Sequence, residues 1–216
     1  MRLQGLEVDM DKLTYRVSKR SFDYLVSALL ILIVSPVILL VAVVIKITSK
    51  GPVLYCQKRV GKYGKEFNMY KFRTMVINAE AILQDKINKD ADFRAEWEKY
   101  QSVARDPRIT KIGKILRRTS LDELPQLLNV LKGDMSLVGA RPITADQIKM
   151  FKEGFSYYIL SRPGMTGLYQ VNGRNNLTFE QRVEIDTKYI KEKSFIIDIM
   201  ILLKTFRVVI SGDGAT

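Results

Sequence analysis

The stretch YLVSALLILIVSPVILLVAVVI, from Tyr24 to Ile45, decides the architecture of this 216-residue chain. It contains no charged side chain, and a helix of roughly 20 apolar residues is long enough to cross the hydrocarbon core of a bilayer. It is too long for the core of a signal peptide and lacks a convincing small-residue cleavage site. The stretch therefore predicts a membrane segment that the protein retains.

Ser35 and Pro36 lie at the centre of this segment, where proline removes a helix hydrogen bond and clashes with the preceding turn. Basic residues flank the segment on both sides, namely Arg16, Lys19, Arg20, Lys46 and Lys50. The positive-inside rule therefore gives no direction across the membrane. Two interpretations fit equally: a re-entrant helix–break–helix over residues 19–49 that enters and leaves by one face, and a kinked transmembrane anchor.

A second apolar stretch, FIIDIMILLKTFRVVI from Phe195 to Ile210, gives a weaker membrane signal. Its charged residues Asp198, Lys204 and Arg207 fall at helical spacing on roughly one face. The pattern predicts a helix lying in the membrane interface with its apolar side down. An amphipathic helix packed on the domain core fits the same residues.

Composition limits the chemistry of the polar remainder. The net charge of +12 favours an anionic partner, such as phosphates, an anionic membrane surface or nucleic acid. The chain has no histidine, which excludes nucleophiles activated by histidine and zinc sites with histidine ligands. The single Cys56 excludes an internal disulfide and fits a reducing compartment. Chemistry must therefore rest on carboxylates, Arg, Lys, Tyr or a bound metal.

The polar remainder predicts a small β-hairpin followed by helices. Val53–Gln57 and Phe67–Phe72 are rich in β-branched and aromatic residues, and Gly61 and Gly64 punctuate the connection. The spacing of isoleucines and leucines between Ile112 and Leu131 predicts two short amphipathic helices. We therefore expect an α+β chain: a membrane segment, then a mainly helical domain with a β-hairpin.

An acidic pair, Asp122 and Glu123, directly follows a basic stretch that ends in Arg117 and Arg118. Ser120 and Glu123 match a capping box, so spacing alone favours a structural role in a helix start. Two later segments supply further arginines and glycines, GARP at 139–142 and SRPGMTGLYQVNGRNN at 161–176. Arginine suits bidentate phosphate contacts, and glycine lets backbone N–H groups approach phosphate oxygens. Carboxylates at a helix start near bound phosphate would be natural magnesium ligands.

These segments form an ordered set of motifs: KRSFDYLVS with the SPVIL break, FRTM, KIGKILRRTSLDELPQLLNVLKGDMSLVG, and RPGMTGLYQVNGRNN. With them, the chain resembles the bacterial sugar transferases, the monotopic phosphoglycosyltransferases that act on polyprenyl phosphate. The resemblance covers nearly everything from Lys19 onward. It is strongest to the catalytic portion of members that transfer galactose or glucose phosphate, which often carry extra N-terminal transmembrane helices.

The resemblance implies an N-terminal segment over residues 1–18, the re-entrant hairpin, and a cytoplasmic catalytic domain over residues 50–216 with an interfacial C-terminal helix. It places the protein on the cytoplasmic face of the bacterial inner membrane. It also implies that Asp122 is the nucleophile and that Glu123 holds Mg²⁺. By motif position, the substrate-binding residues would be Arg73, Arg117, Arg141 and Arg174.

The implied reaction moves a sugar 1-phosphate from a UDP-sugar to undecaprenyl phosphate through a covalent aspartyl-phosphosugar, releasing UMP. It would initiate assembly of a surface glycan, such as an exopolysaccharide, capsule or O-antigen. The expected partners are UDP-sugar, undecaprenyl phosphate, membrane lipids and a second copy of the chain, but no nucleic acid. Ala140 departs from the family, which often has proline there, and this puts the loop's rigidity in doubt. The alternative is a membrane-anchored basic binding module for anionic lipid or nucleic acid, in which the acidic pair only caps a helix.

Overall fold

The computed structural model describes residues 13–173 and 177–211. The α-helices within these ranges are α1 (Leu13–Thr48), α2 (Ala79–Lys89), α3 (Ala91–Tyr100), α4 (Lys111–Arg118), α5 (Leu127–Lys132), α6 (Ile148–Phe151), α7 (Gly154–Tyr158), α8 (Leu168–Val171), α9 (Phe179–Glu192) and α10 (Phe195–Ser211). The strands are β1 (Leu54–Val60), β2 (Glu66–Phe72), β3 (Ser136–Val138) and β4 (Gly164–Thr166). Short 3₁₀ helices cover Lys62–Gly64, Leu121–Gln126 and Ala145–Gln147.

Helix α1 is helical throughout, including the residues on both sides of Pro36. The helical conformation continues through Pro36, where an interruption was expected. Proline cannot donate to the carbonyl of Leu32, four residues earlier, and the Ser35 hydroxyl donates to that oxygen instead, at 2.9 Å. A hydroxyl that satisfies the orphaned carbonyl lets an apolar helix tolerate its proline where water is absent. The re-entrant course of α1 stays a prediction.

One stripe of α1 packs on the rest of the protein along nearly its whole length. On the N-terminal side of Pro36, Phe22 and Val26 pack against the main hydrophobic core. On its C-terminal side, Val41 and Ile45 are buried in a second cluster with Phe72 and Leu116. The opposite stripe of α1 exposes large apolar side chains: Leu25, Leu29, Leu32, Ile33, Leu39, Leu40 and Ile47. Both halves of the helix are therefore held by the same globular body, and its outer side is apolar.

The predicted β-hairpin is confirmed, with longer strands than the sequence indicated. β1 and β2 pair antiparallel, with Leu54 opposite Phe72 and Val60 opposite Glu66. A second pairing, which the sequence did not predict, joins β3 and β4 in parallel. Tight backbone contact at Gly139 and Gly164 accompanies this pairing, because a Cβ at either glycine would meet backbone atoms closer than 3.0 Å. This contact sets the course of the loop that follows β3.

The expectation that the charged residues of α10 share one polar face is wrong. Asp198 does not share a face with Lys204 and Arg207, because it is buried against the domain while the two basic side chains are exposed. Its carboxylate accepts hydrogen bonds from Tyr189 Oη at 2.6 Å and from Lys19 Nζ at 2.7 Å. A buried carboxylate needs such partners, which explains why an acid tolerates a core position here.

The two interpretations of α10 each describe one side of the helix. Ile197 and Ile201 pack on the main core, as a core-packed helix requires. Another stripe leaves large apolar side chains exposed, namely Phe195, Ile196, Met200, Leu203 and Phe206. Exposed apolar stripes of this size mark contact surfaces rather than ordinary solvated faces. Contact of this stripe with a membrane interface stays a prediction.

Candidate active site

Asp122 and Glu123 lie on the 3₁₀ helix Leu121–Gln126, directly after α4. The chain turns sharply between these helices because Ser120 adopts a left-handed conformation, with φ of 55°. That conformation costs a non-glycine residue about 1–2 kcal/mol. The turn directs Asp122 inward, where it is only 7% exposed, while Glu123 remains partly exposed.

The capping-box interpretation of this turn is not realised. The Ser120 side chain makes no capping hydrogen bond to the helix. Glu123 instead points its carboxylate at Lys71 of β2, with Oε1 and Nζ 2.7 Å apart. A polar side chain that leaves its local backbone to meet a distant cation is positioned by the tertiary fold rather than by helix capping.

Three cations and one anion surround the Asp122 carboxylate. Burial is the largest influence and raises the pKa of Asp122 above its ordinary value. The positive charges of Lys71, Arg117 and Arg141 lower this pKa, and the negative charge of Glu123 raises it. The carboxylate is therefore poorly solvated yet surrounded by positive charge, an arrangement that favours a reactive anion beside an anionic substrate.

A small open pocket is lined by Glu123, next to Asp122 in the chain, and holds about 230 Å³ of empty space including open solvent. Its polar lining comes from β1, β2, the 3₁₀ helix, the loop after β3, and α8, through Arg59, Lys71, Glu123, Gln126, Arg141 and Gln170. Within this lining, three side chains are cationic and one is acidic. The pocket therefore suits a ligand with negative charge, such as a phosphate or diphosphate.

Arg117 and Arg141, both predicted to bind substrate, lie near Asp122 and act on its pKa. Arg117 is held in place by a hydrogen bond from Nε to Thr74 Oγ1 at 3.0 Å. Arg141 lines the pocket directly. The structure thus brings these two arginines together with the acidic pair, while their contact with substrate stays a prediction.

The other predicted arginines are placed differently. Arg73 is buried away from the pocket lining, and its Nη2 donates to Ser49 O at 2.8 Å, just after the end of α1. There it fixes the junction between the apolar helix and β1, with Gly51 packed against its guanidinium. Arg174 lies outside the described residues.

Helix α9 holds the backbone of Arg141 through a buried ion pair that the sequence analysis missed. Asp186 Oδ2 accepts a hydrogen bond from Arg141 N at 3.3 Å, and Arg182 Nη2 donates to Arg141 O at 3.4 Å. Asp186 and Arg182 also face each other, with Nε and Oδ2 3.8 Å apart. The backbone N–H and C=O of Arg141 are therefore both fixed, the first by Asp186 and the second by Arg182. The sequence did hold a signal for this ion pair: Arg182 and Asp186 are four residues apart and fall among the apolar positions of an amphipathic helix.

Arg59 was also missed, although it lies in the pocket. Burial, together with the nearby charges of Arg141 and Arg182, lowers the pKa of its guanidinium to about 10. Its Nη1 donates to Pro142 O at 3.1 Å. The guanidinium groups of Arg59, Arg141 and Arg182 thus lie close together, with the Asp186 carboxylate beside Arg141 and Arg182 and the Glu123 carboxylate in the same pocket as Arg59 and Arg141. Such a group of cations favours an anionic ligand beside it.

Two adjacent carboxylates are donors of the kind that Mg²⁺ accepts, and the binding of Mg²⁺ here stays a prediction. Among the residues that the structure describes, no three Asp, Glu or Cys side chains form a metal-binding cluster. Mg²⁺ usually binds proteins through one or two carboxylates and completes its shell with water and substrate phosphates. The adjacent carboxylates of Asp122 and Glu123 match that requirement, with Glu123 the more accessible. A metal on Glu123 would have to compete with Lys71.

Comparison with known proteins places this chain in a family. The family described as "Bacterial sugar transferase" matches residues 14–212. An uncharacterized sugar transferase of Haemophilus influenzae is 49% identical over 96% of this chain and 44% of its own length. The undecaprenyl-phosphate galactose phosphotransferase of Salmonella typhimurium is 46% identical over 99% of this chain and 44% of its own length. The exopolysaccharide production protein ExoY of Sinorhizobium fredii is 40% identical over 92% of this chain and 88% of its own length.

The chain thus spans less than half the length of the first two relatives and most of the third. The family match includes α1, the acidic pair and α9, so it covers the whole site described above. This chain belongs to the bacterial sugar transferase family.

Proposed function

We propose that this protein transfers a sugar 1-phosphate from a UDP-sugar to undecaprenyl phosphate and releases UMP. The observation that carries the proposal is the Asp122 carboxylate, nearly buried beside Lys71, Arg117 and Arg141 at the edge of a cationic pocket. Relatives support it, since the Salmonella protein is named for this phosphotransfer to undecaprenyl phosphate. By the same analogy, we propose a role in exopolysaccharide assembly, since the Sinorhizobium relative is named for exopolysaccharide production.

In the proposed first step, a carboxylate oxygen of Asp122 forms a bond to the phosphorus that carries the sugar. The bond from that phosphorus to the bridging oxygen breaks, and UMP leaves with the electron pair. Arg117 and Arg141, whose charges act on Asp122, would stabilise the negative charge of the phosphates as it shifts. Mg²⁺ held by Glu123 would supply further neutralisation of phosphate charge when bound.

In the proposed second step, a phosphate oxygen of undecaprenyl phosphate forms a bond to the same phosphorus. The aspartyl oxygen–phosphorus bond breaks, and the Asp122 carboxylate is restored. The product is a sugar joined to the lipid through a diphosphate. Splitting one transfer into two displacements lets the two substrates use the same carboxylate in turn.

The lipid substrate requires a site at the membrane surface, and α1 supports such a placement. Both halves of α1 dock on the same globular body, so a helix that crossed the bilayer would draw that body into the hydrocarbon. The exposed stripes of α1 and α10 offer apolar contact to one leaflet. We therefore propose that α1 enters and leaves by the cytoplasmic face.

Labelling should show that both ends of α1 face the cytoplasm. Single cysteines at the exposed positions Ser18 and Lys50, in a Cys56→Ser background, should resist an impermeant maleimide in intact bacterial cells. Both should react once the cells are permeabilised, which serves as the control. Reaction at position 18 but not at position 50 in intact cells would show that the segment crosses the membrane.

The enzyme assay is direct. Purified protein should be incubated with undecaprenyl phosphate, Mg²⁺ and one of UDP-galactose, UDP-glucose or UDP-N-acetylgalactosamine, and free UMP should be measured. We expect repeated turnover from at least one donor only when the lipid phosphate is present; with the donor alone, UMP should stop at one equivalent of enzyme. A binding module would release none, and UDP or free sugar as the product would contradict the proposed transfer.

The pH dependence of UMP release should respond with opposite sign to two neighbours of Asp122. Attack needs the ionised carboxylate, so the rate falls as the pH drops through the raised pKa of Asp122. Lys71→Gln removes a positive neighbour, and this should move the acid limb to higher pH. Glu123→Gln removes a negative neighbour, and at saturating Mg²⁺ this should move it to lower pH.

Lys58→Gln is the matched control, since Lys58 is an exposed β1 residue that pairs with Glu66 rather than with the site. Its acid limb should coincide with that of the parent enzyme. Shifts of the Lys71 and Glu123 variants in one common direction would contradict the assignment of this limb to Asp122.

A further inference from the structure

Two buried hydrogen-bond donors line the pocket beside Glu123 and have no acceptor among the residues that the structure describes. One is Arg59 Nε and the other is Gln126 Nε2. Gln126 is only 2% exposed, so bulk water reaches it poorly. Buried donors in proteins are nearly always paired. Two unpaired donors on the wall of one pocket therefore indicate a ligand that supplies hydrogen-bond acceptors.

The guanidinium of Arg59 is fixed in place by two neutral groups. Its Nη1 donates to Pro142 O at 3.1 Å, and its Nη2 donates to Gln57 Oε1 at 2.5 Å. Neither contact cancels the positive charge, and the charged groups that act most on Arg59, Arg141 and Arg182, are also cations. A fixed guanidinium with a spare N–H beside other cations favours an anionic acceptor, such as a phosphate oxygen.

Arg59 lies farther from the proposed nucleophile than Arg141 does. The charges that act most on the Asp122 carboxylate include that of Arg141 and do not include that of Arg59. Lys71 and Glu123, in the same pocket, oppose each other with Nζ and Oε1 2.7 Å apart. A diphosphate that extends from Asp122 into the pocket would therefore place its first phosphate near Arg141 and its second near Arg59.

The proposed reaction needs one further phosphate position, and needs it twice. Displacement at phosphorus places the attacking and leaving oxygens in line, on opposite sides of the phosphorus. When Asp122 attacks, UMP leaves from the opposite side. When the aspartyl oxygen–phosphorus bond later breaks, the phosphate of undecaprenyl phosphate must attack from the side that UMP left. Both groups are phosphate monoesters, so a single subsite opposite Asp122 can hold each in turn.

We propose that Arg59 and Gln126 form this subsite, which holds the phosphate of UMP as it leaves and the phosphate of undecaprenyl phosphate as it attacks. The inference rests on the proposed function and deepens it. Arg59 supplies positive charge and its Nε–H. Gln126 supplies an amide N–H, and it follows Asp122 by four residues on the same 3₁₀ helix.

The first test measures binding and needs no turnover. UMP and undecaprenyl phosphate are titrated separately, by calorimetry, into the purified full chain in a non-ionic detergent with Mg²⁺. We expect both to bind the parent protein, and Arg59→Gln to weaken both by about tenfold or more, as the loss of a charged hydrogen bond does. Saturating UMP should lower the apparent affinity for undecaprenyl phosphate, because the two ligands share the subsite.

Gln126→Met keeps the test sharp even if Arg59→Gln destabilises the loop at Pro142. It removes a side-chain amide whose Nε2 has no partner in the described structure, and methionine has a similar length. This variant should weaken the binding of both ligands a few-fold. The matched control is Lys58→Gln, next to Arg59 on β1, which removes the same charge from an exposed side chain paired with Glu66. Both affinities should be unchanged in Lys58→Gln.

Product inhibition tests the sharing of the subsite during turnover. Formation of the lipid-linked sugar is measured from a radiolabelled UDP-sugar in the presence of added UMP. If UMP and undecaprenyl phosphate use one subsite, UMP inhibits competitively against the lipid phosphate. Separate sites would instead make UMP competitive against the UDP-sugar. Arg59→Gln should raise the inhibition constant of UMP and the KM of undecaprenyl phosphate together.

The proposal is overturned if neither ligand binds the parent protein, or if Arg59→Gln and Gln126→Met leave both affinities unchanged. It is also overturned if these variants weaken the binding of only one ligand, or if Lys58→Gln loses as much affinity as Arg59→Gln. Binding of both ligands that depends on Arg59, without any UMP release, would support the subsite and contradict the proposed reaction. UMP release by the parent, with unchanged affinities in Arg59→Gln, would contradict the subsite alone.

Discussion

Asp122→Asn is expected to lower the rate of UMP release by about 10³-fold or more while leaving the fold intact. The amide has the size and shape of the carboxylate but is a poor nucleophile. The fold should survive because the 3₁₀ helix keeps its backbone contacts and a neutral amide is cheaper to bury than a carboxylate. Thermal unfolding of the variant should match that of the parent protein.

The mass of the intact protein tests the role of Asp122 more sharply than the rate. With UDP-sugar alone, the parent should gain the mass of one phosphosugar, and Asp122→Asn should gain none. Asp146→Asn, at an exposed acid outside the pocket lining, should gain the same mass as the parent. An adduct that persists in Asp122→Asn would place the nucleophile on another side chain.

Asp186→Ala is expected to destabilise the protein by about 3–5 kcal/mol, the usual cost of removing one partner of a buried ion pair. Asp186 is fully buried, and without it the guanidinium of Arg182 loses its opposing charge while Arg59 and Arg141 remain close. The Arg141 N–H also loses its acceptor. Denaturant unfolding of the detergent-solubilised protein, followed by circular dichroism, measures the change.

Asp186→Asn should cost less than Asp186→Ala, because the amide oxygen can still accept from Arg141 N. The matched control is Asp146→Ala, at an exposed position, which should stay within about 0.5 kcal/mol of the parent. If Asp186→Ala unfolds with the same midpoint as that control, the buried ion pair contributes nothing to stability.

The features that the sequence predicted well depend on neighbouring residues. The apolar run from Tyr24 to Ile45 lies in a single long helix, and the hairpin forms around Gly61 and Gly64. Each of these depends on local periodicity or on a backbone conformation that glycine allows.

The features that the sequence left unpredicted depend on residues far apart in the chain. Lys71 meets Glu123 across 52 positions, and Asp186 meets the Arg141 backbone across 45. No periodic pattern encodes such a pairing. Asp198 illustrates the same limit. Its spacing predicted an exposed polar face, but its carboxylate is buried and accepts hydrogen bonds from Tyr189 and Lys19. Spacing reports which face of a helix a residue occupies, but not what that face contacts.

The way α1 docks has a practical consequence for anyone who wants the enzyme free of membrane. Deleting the helix would strip Val41 and Ile45 from their cluster with Phe72 and Leu116, and would remove Phe22 from the main core. The remaining polypeptide would expose the apolar surface that normally closes its interior, so truncation should yield aggregates. A water-soluble form should instead keep α1 and replace only its outward stripe with polar residues. In this protein the anchor is part of the folding unit and cannot be treated as a detachable tail.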